Sequence, residues 1–317
     1  MNTKSNMTAV NTQTRRSFCK RIAVGTAATT LSPTDLFSKD APYRLRYILA
    51  SSMYGQLPLK DILPEVHKTG AEHIDIWPLR HANQREQIEE MGHDRFADLL
   101  KKHNVKLGML THYDLGPFKL QPQMPFAKKF NAEIMIAGSG GPKGLSGPEL
   151  KSAVEQFIEK MKPHIAAAET AGVTIGIENH ANALIESPDA IRYLAEFAPS
   201  KHIGIALAPY HLPQDPKLLA KLIEDIGPGL AHFYAWQHGH GCIEKLPKDE
   251  EMLQMPGRGS LDFAPIMAAL QKTNYGGWVS VFMHPVPRGI PILPTAKQVT
   301  DAINQSRRYL ETCLAKA

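Results

Sequence analysis

The sequence predicts an α/β protein folded as a single (β/α)8 barrel, and three observations carry that prediction. From Ala41 onward, short runs rich in Ile, Leu and Val alternate with longer amphipathic stretches, the strand–helix rhythm of α/β folds. The alternation repeats about eight times with no shift in composition, as one closed barrel requires and two domains would not. The chain has 317 residues, 43% of them hydrophobic, which suffices to fill a barrel of about 250 residues.

The elements follow in order. RLRYILA (44–50) is the first strand, followed by a helix over 57–69 that Gly70 closes. EHIDIW (72–77) is the second and leads into a helix over 84–103. VKLGMLT (105–111) is the third; the connection after it, 113–130, carries Pro117, Pro122 and Pro125 and is the least helix-like stretch. AEIMIAG (132–138) and a helix over 147–171, closed by Gly172, make the fourth unit. VTIGIE (173–178) precedes a helix over 187–197, where Ser187, Pro188 and Asp189 supply an N-cap, a first-turn proline and an early acid. HIGIALA (202–208), LAHFYAW (230–236) and GWVSVF (277–282) complete the strands, with helices over 214–226, 261–273 and 295–315. A doubly wound open sheet is the rival, but no GxGxxG follows the first strand. The glycine cluster GSGGPKG (138–144) follows the fourth strand instead, where it reads either as an anion cradle or as a loop over the barrel mouth.

Residues 1–42 read as a signal and linker, and 43–317 as the barrel domain. The segment TRRSFCKRIAVGTAATTL (14–31) sets Arg15 and Arg16 before Phe18, Lys20 and a weakly apolar Ala/Gly/Thr run. That order is similar to a cleavable twin-arginine export signal, which implies a periplasmic protein. The run is too short and polar to span a bilayer, and no other segment is a membrane-span candidate. Net charge is +5 with the basic residues scattered, so nucleic acid is not an expected partner. Outside the signal only Cys242 and Cys313 remain; they read as two isolated thiols without a CxxC partner for zinc. No feature specifies an oligomeric state.

In a (β/α)8 barrel the chemistry gathers where strands end and loops begin. The predicted strand ends supply Trp77, Arg80 and His81; Thr111, His112 and Asp114; Glu178, Asn179 and His180. The later ones add Tyr210 and His211; Trp236, Gln237 and His238; His284 and Arg288. Singly, each is a solvated loop group. Their joint position on one rim is what points to a site. His238 and His240 alternate with glycine, which suits a lid, a metal clasp or an exposed turn.

Five motifs carry a resemblance: TGAEHIDIWP (69–78), GVTIGIENHA (172–181), HIGIALAPYHL (202–212), PGRGSLDF (256–263) and YGGWVSVF (275–282). In this order, from about Tyr43 onward, the chain resembles the xylose isomerase-like TIM-barrel superfamily, the sugar phosphate isomerase/epimerase group. The resemblance implies one divalent cation, held by a glutamate after the fifth strand, an aspartate after the sixth, a histidine in the seventh and a glutamate at the eighth. Such a cation spreads the charge of an enediolate formed beside a carbonyl. Carried onto this chain, the first glutamate is Glu178, and His211 matches a histidine that contacts substrate. The aspartate position falls on Ala208, the histidine position on Tyr234 with His232 two residues back, and the last glutamate position on Phe282. One carboxylate cannot cage a hard cation, and Ala and Phe offer no oxygen. No cofactor is therefore expected; the remaining metal option is a rearranged site on Glu178 and His211, with His112, His238 or His284 joining.

What the resemblance implies is proton transfer next to a carbonyl in a small carbohydrate or hydroxy-carbonyl compound. Glu178, His211 and Tyr234 are the expected catalytic residues, Glu178 shuttling the proton and the other two donating to the developing oxyanion. Trp77, Arg80, His112, Asn179, His180, Trp236, Gln237, Arg258 and His284 are expected to contact the substrate. With Phe282 in place of a second base, an aldose–ketose isomerisation on one face is favoured over epimerisation. The alternative from another class is a non-catalytic carbohydrate-binding barrel, in which Glu178 is only a buried acid.

Overall fold

A computed structural model describes residues 42–317; the expected export signal and linker in 1–41 lie outside the described residues. Eight parallel strands pair in chain order and close into a barrel. They are β1 (Arg46–Ala50), β2 (His73–Ile76), β3 (Lys106–Thr111), β4 (Ile134–Gly138), β5 (Thr174–Glu178), β6 (Ile203–Leu207), β7 (Leu230–Ala235) and β8 (Trp278–Val281). Each lies within the run that the Ile, Leu and Val pattern marks.

The helices around them differ from expectation in three places. Residues 57–69 form one helical turn, Leu59–Ile62, and then 3-10 turns, because Pro64 brings no N–H to an α-helical ladder. The stretch 84–103 is two helices, Gln84–Met91 and His93–His103, parted at Gly92, whose φ of 83° leaves the helical region. Within 113–130, two 3-10 turns lead into a short helix, Met124–Lys129. The later helices, Gly147–Ala171, Pro188–Phe197, Pro216–Ile226, Ala264–Lys272 and Ala296–Leu314, match their predicted spans closely. Their starts are capped as their residues dictate. Ser187 Oγ accepts from Ala190 N at 3.2 Å, and Thr295 and Gln298 form a reciprocal capping box.

Period-2 alternation along the strands sends one set of side chains to the helices and the other into the barrel. The inner set meets in layers. At the N-terminal end of the strands His73 packs on Trp278, with the Arg46 guanidinium 3.9 Å from that indole. Further along, Asp75 accepts from Thr111, and His232 pairs with Ser280 at 2.9 Å. The last layer, at the C-terminal ends, holds Trp77, Tyr234 and Phe282 packed ring against ring. Cys242 and Cys313 are both free and buried.

Candidate active site

A cavity of about 530 Å³ opens at the C-terminal ends of the strands. Glu178, the last residue of β5, lies in its wall with only 3% of its surface exposed. The neighbours Ile175 and Ile177 bury their side chains on the other face of the strand, which turns the carboxyl inward. Among the described residues no group hydrogen-bonds that carboxyl; the nearest basic atom is His211 Nε2, at 3.8 Å. His211 closes the 3-10 turn Pro209–His211 that follows β6.

The charge state of this pair follows from burial. Removal from water, and then the nearby Asp75, push the Glu178 carboxyl well above its usual range. Burial, followed by His180, His238 and Arg288, brings His211 down to about 3. Both shifts disfavour the charged forms, so burial works against an ion pair at this contact. Asp75 is a second, fully buried acid, held by hydrogen bonds from Trp77 Nε1 and Thr111 Oγ1 and also raised by burial. Tyr234 is buried with its hydroxyl unpartnered; burial, then Glu178 and Asp75, keep it protonated.

Aromatic rings build the rest of the wall. Tyr210 stacks on Trp236 at 3.9 Å, and His211 meets the same indole edge-on at 5.3 Å. Gln254, itself fully buried, accepts from Trp236 Nε1 at 3.0 Å and donates to the His284 carbonyl at 2.9 Å, so it ties the loops after β7 and β8 together. Phe282 sits among Trp77 (5.4 Å), Trp236 (5.2 Å), Tyr234 (5.1 Å) and His284 (4.8 Å).

The structure brings six of the expected residues to the cavity wall: Glu178, His211, Arg80, His180, Trp236 and His284. Tyr234 packs behind that wall against Phe282, and Trp77 lines a smaller cavity of about 250 Å³ that shares Arg80, His81 and Tyr113 with the first. Four expected substrate contacts are placed elsewhere. Asn179 spends its amide on the backbone of Ala208, accepting at 2.7 Å and donating at 3.0 Å, and so clamps β5 to β6. Gln237 braces its own loop, accepting from Leu261 N and donating to Met255 O, and Gly259 is required beside it because a Cβ there would lie 2.6 Å from Gln237 Oε1. Arg258 bonds Gln305 on the C-terminal helix. His112 is buried beside Asp114 and does not line the cavity. Sequence reasoning passed over Tyr113 and Cys242, which do line it, and the supporting Asp75 and Gln254. An acid set between two isoleucines in EHIDIW was the available signal for Asp75.

The family's cation does not fit the donors present. Ala208, Tyr234 and Phe282 are buried at the three remaining ligand positions, and Phe282 fills its place with a ring packed on four others. Among the described residues no three His, Cys, Asp or Glu side chains converge as metal ligands.

A closed eight-stranded barrel with a solute-sized cavity at its strand ends defines a (β/α)8-barrel protein. The chain belongs to the xylose isomerase-like TIM-barrel family, whose model matches residues 63–313. Solved structures share the fold at low identity. The IolI protein with a binding zinc atom is 15% identical with a TM-score of 0.62, over 86% of this chain and 99% of that one. D-psicose 3-epimerase from Clostridium cellulolyticum H10 is 13% identical with a TM-score of 0.63, over 85% and 99%. The probable 3-DHS dehydratase AsbF from Bacillus anthracis is 13% identical with a TM-score of 0.61, over 83% and 99%. No curated protein matches by sequence. No helix among the described residues is long and apolar enough to cross a membrane.

Proposed function

We propose that the protein is an isomerase-type enzyme that moves a proton next to the carbonyl of a small carbohydrate or hydroxy-carbonyl compound, with Glu178 taking and returning the proton. One observation carries the reading: the Glu178 carboxyl faces the cavity unpaired, 3.8 Å from His211. An acid desolvated in this way has a proton affinity closer to neutrality than a surface glutamate, which is what proton abstraction and return both need. His211, whose Nε2 has no partner among the described residues, is a ready hydrogen-bond donor to the oxygen that gains charge, while Tyr234 packs behind the wall and does not reach the cavity. The sugar epimerase among the similar structures points to the same substrate class.

Aldose–ketose transfer fits these residues better than inversion. Inverting a stereocentre calls for a proton-transfer group on each face of the planar intermediate, and Phe282 occupies the second position. A single acid can carry a proton between adjacent carbons on one face. The reading also includes export: the Arg15–Arg16 signal would send the folded barrel to the periplasm.

The test is isotope uptake. In deuterated water the protein is expected to place label on the carbon beside the carbonyl of its sugar, and Glu178→Gln, folded by circular dichroism, is expected to lose that activity. Calorimetric binding without any uptake by the wild type would turn the protein into a carbohydrate-binding barrel.

A further inference from the structure

Glu178 is the one acid on the wall of the main cavity, and two arginines share that wall with it. Arg80 comes from the loop after β2 and Arg288 from the loop after β8, and among the described residues neither is bonded to a carboxylate. An unpaired guanidinium facing a cavity is an anion site waiting for its partner.

Arg288 is held in place rather than swinging in solvent. Its Nη1 donates to Cys242 O at 3.1 Å and to Pro285 O at 2.9 Å, and its Nη2 donates to Cys242 Sγ at 3.0 Å. These bonds use three of the five guanidinium N–H groups. The remaining two include Nε–H, and together with Nη2 it forms the edge whose spacing matches two oxygens of a carboxylate or phosphate. Cys242 is itself fixed, since its N–H donates to Tyr210 Oη at 2.8 Å, and Tyr210 is stacked on Trp236. The fork is thus anchored to the same wall that carries the chemistry.

The imidazoles around it supply donors without charge. Burial, with Arg288 and Arg80 adding to it, brings His81 down to about 4, and the same causes apart from Arg80 hold His284 well below its usual range. With Glu178 held toward its neutral form, the two guanidiniums are the fixed charges of the cavity.

We propose that the substrate carries an anionic group, a carboxylate or a phosphate, and that Arg288 binds it through its free edge with Arg80 as the second cation. This deepens the proton-transfer reading and rests on it for the identity of the bound molecule as a reactant. Glu178 works at the strand end while the anion sits in the loops that carry the two arginines.

Three hydroxy-ketones of one carbon skeleton make the test: D-fructose, D-fructuronate and D-fructose 6-phosphate, each titrated calorimetrically into the full chain. At least one anion is expected to bind about tenfold or more tighter than D-fructose, as charge-assisted hydrogen bonds allow. Whichever of the two binds tighter assigns carboxylate or phosphate. Raising the salt concentration is expected to erode the preference. Arg288→Gln and, because Arg288 also packs the Cys242 loop, the exposed Arg80→Gln are each expected to lower the ratio of anion affinity to D-fructose affinity severalfold. Equal affinity for all three compounds, no detectable affinity for either anion, or a preference that survives both substitutions overturns the proposal. Glu178→Gln keeps the two readings apart, because it should abolish label uptake and leave the anion preference in place. A wild type with the preference but no uptake would sink proton transfer alone, and uptake without preference would sink the anion site alone.

Discussion

Glu178→Gln preserves the shape of the side chain and removes its titration, so its effect on stability can be worked out with a sign. In the folded protein, burial and then Asp75 hold the carboxyl above the ordinary value of 4.5. The folded state therefore keeps a proton that the unfolded chain releases. The stabilisation that comes with that proton is complete below pH 4.5 and is lost as the pH rises through the folded value. Across that interval the slope is about 1.4 kcal/mol per pH unit, and above it the curve is flat. Glutamine has no such slope. Urea unfolding of both proteins, from about pH 4 to about pH 9, should give a wild-type-minus-variant difference that falls at that rate and then levels. The rate of label uptake by the wild type should rise over the same interval and reach its plateau at the same pH, because the deprotonated form accepts the proton. A difference that is flat throughout would mean that the carboxyl is solvated, and undiminished uptake by the variant would remove Glu178 from the reaction.

Asp75 is the second cause of the raised Glu178 value, so Asp75→Asn should move the uptake profile toward lower pH while folding is retained, whereas a purely structural Asp75 would change only the stability. Purified protein titrated with Mn2+, Co2+ or Zn2+ is expected to show no one-to-one site in the cavity; a stoichiometric metal lost in both Glu178→Ala and His211→Ala would establish the rearranged cage. Replacing Arg15 and Arg16 together by lysine should leave the chain uncleaved in the cytoplasm, as fractionation and mass measurement would show, and unchanged processing would argue against the twin-arginine route.

The strands were legible because their signal is local: apolar β-formers in runs of the right length, ended by polar residues. The helix over 57–69 was less so, since its amphipathic pattern is real but Pro64 breaks the ladder that the pattern suggests. Glu178 and His211 were legible for the same reason as the strands, each standing just beyond an apolar run. Asn179 and Gln237 carry an identical signal and do different work. Nothing local distinguishes an amide that faces solute from one that clamps a backbone 29 residues away, as Asn179 does at Ala208. Arg288 was visible only as a charge on a loop. Its fixed orientation depends on Cys242, 46 residues earlier, and on the ring of Tyr210 behind it.

Ala208, Tyr234 and Phe282 stand where the resemblance places the cation's other ligands, and that alters what a carboxyl at the end of β5 can do. A carboxylate that shares a cation with three other donors is held ionised by that charge, and its proton affinity falls accordingly. Ala208, Tyr234 and Phe282 bring no such charge to those places, and burial, then Asp75, raise the same carboxyl instead. Phe282, packed on Trp77 and Trp236, sets an aromatic ring rather than a second carboxylate at the end of β8. On the reading proposed above, burial makes a single acid a better proton carrier near neutrality, and the ring at the end of β8 favours transfers that begin and end on one side of the substrate.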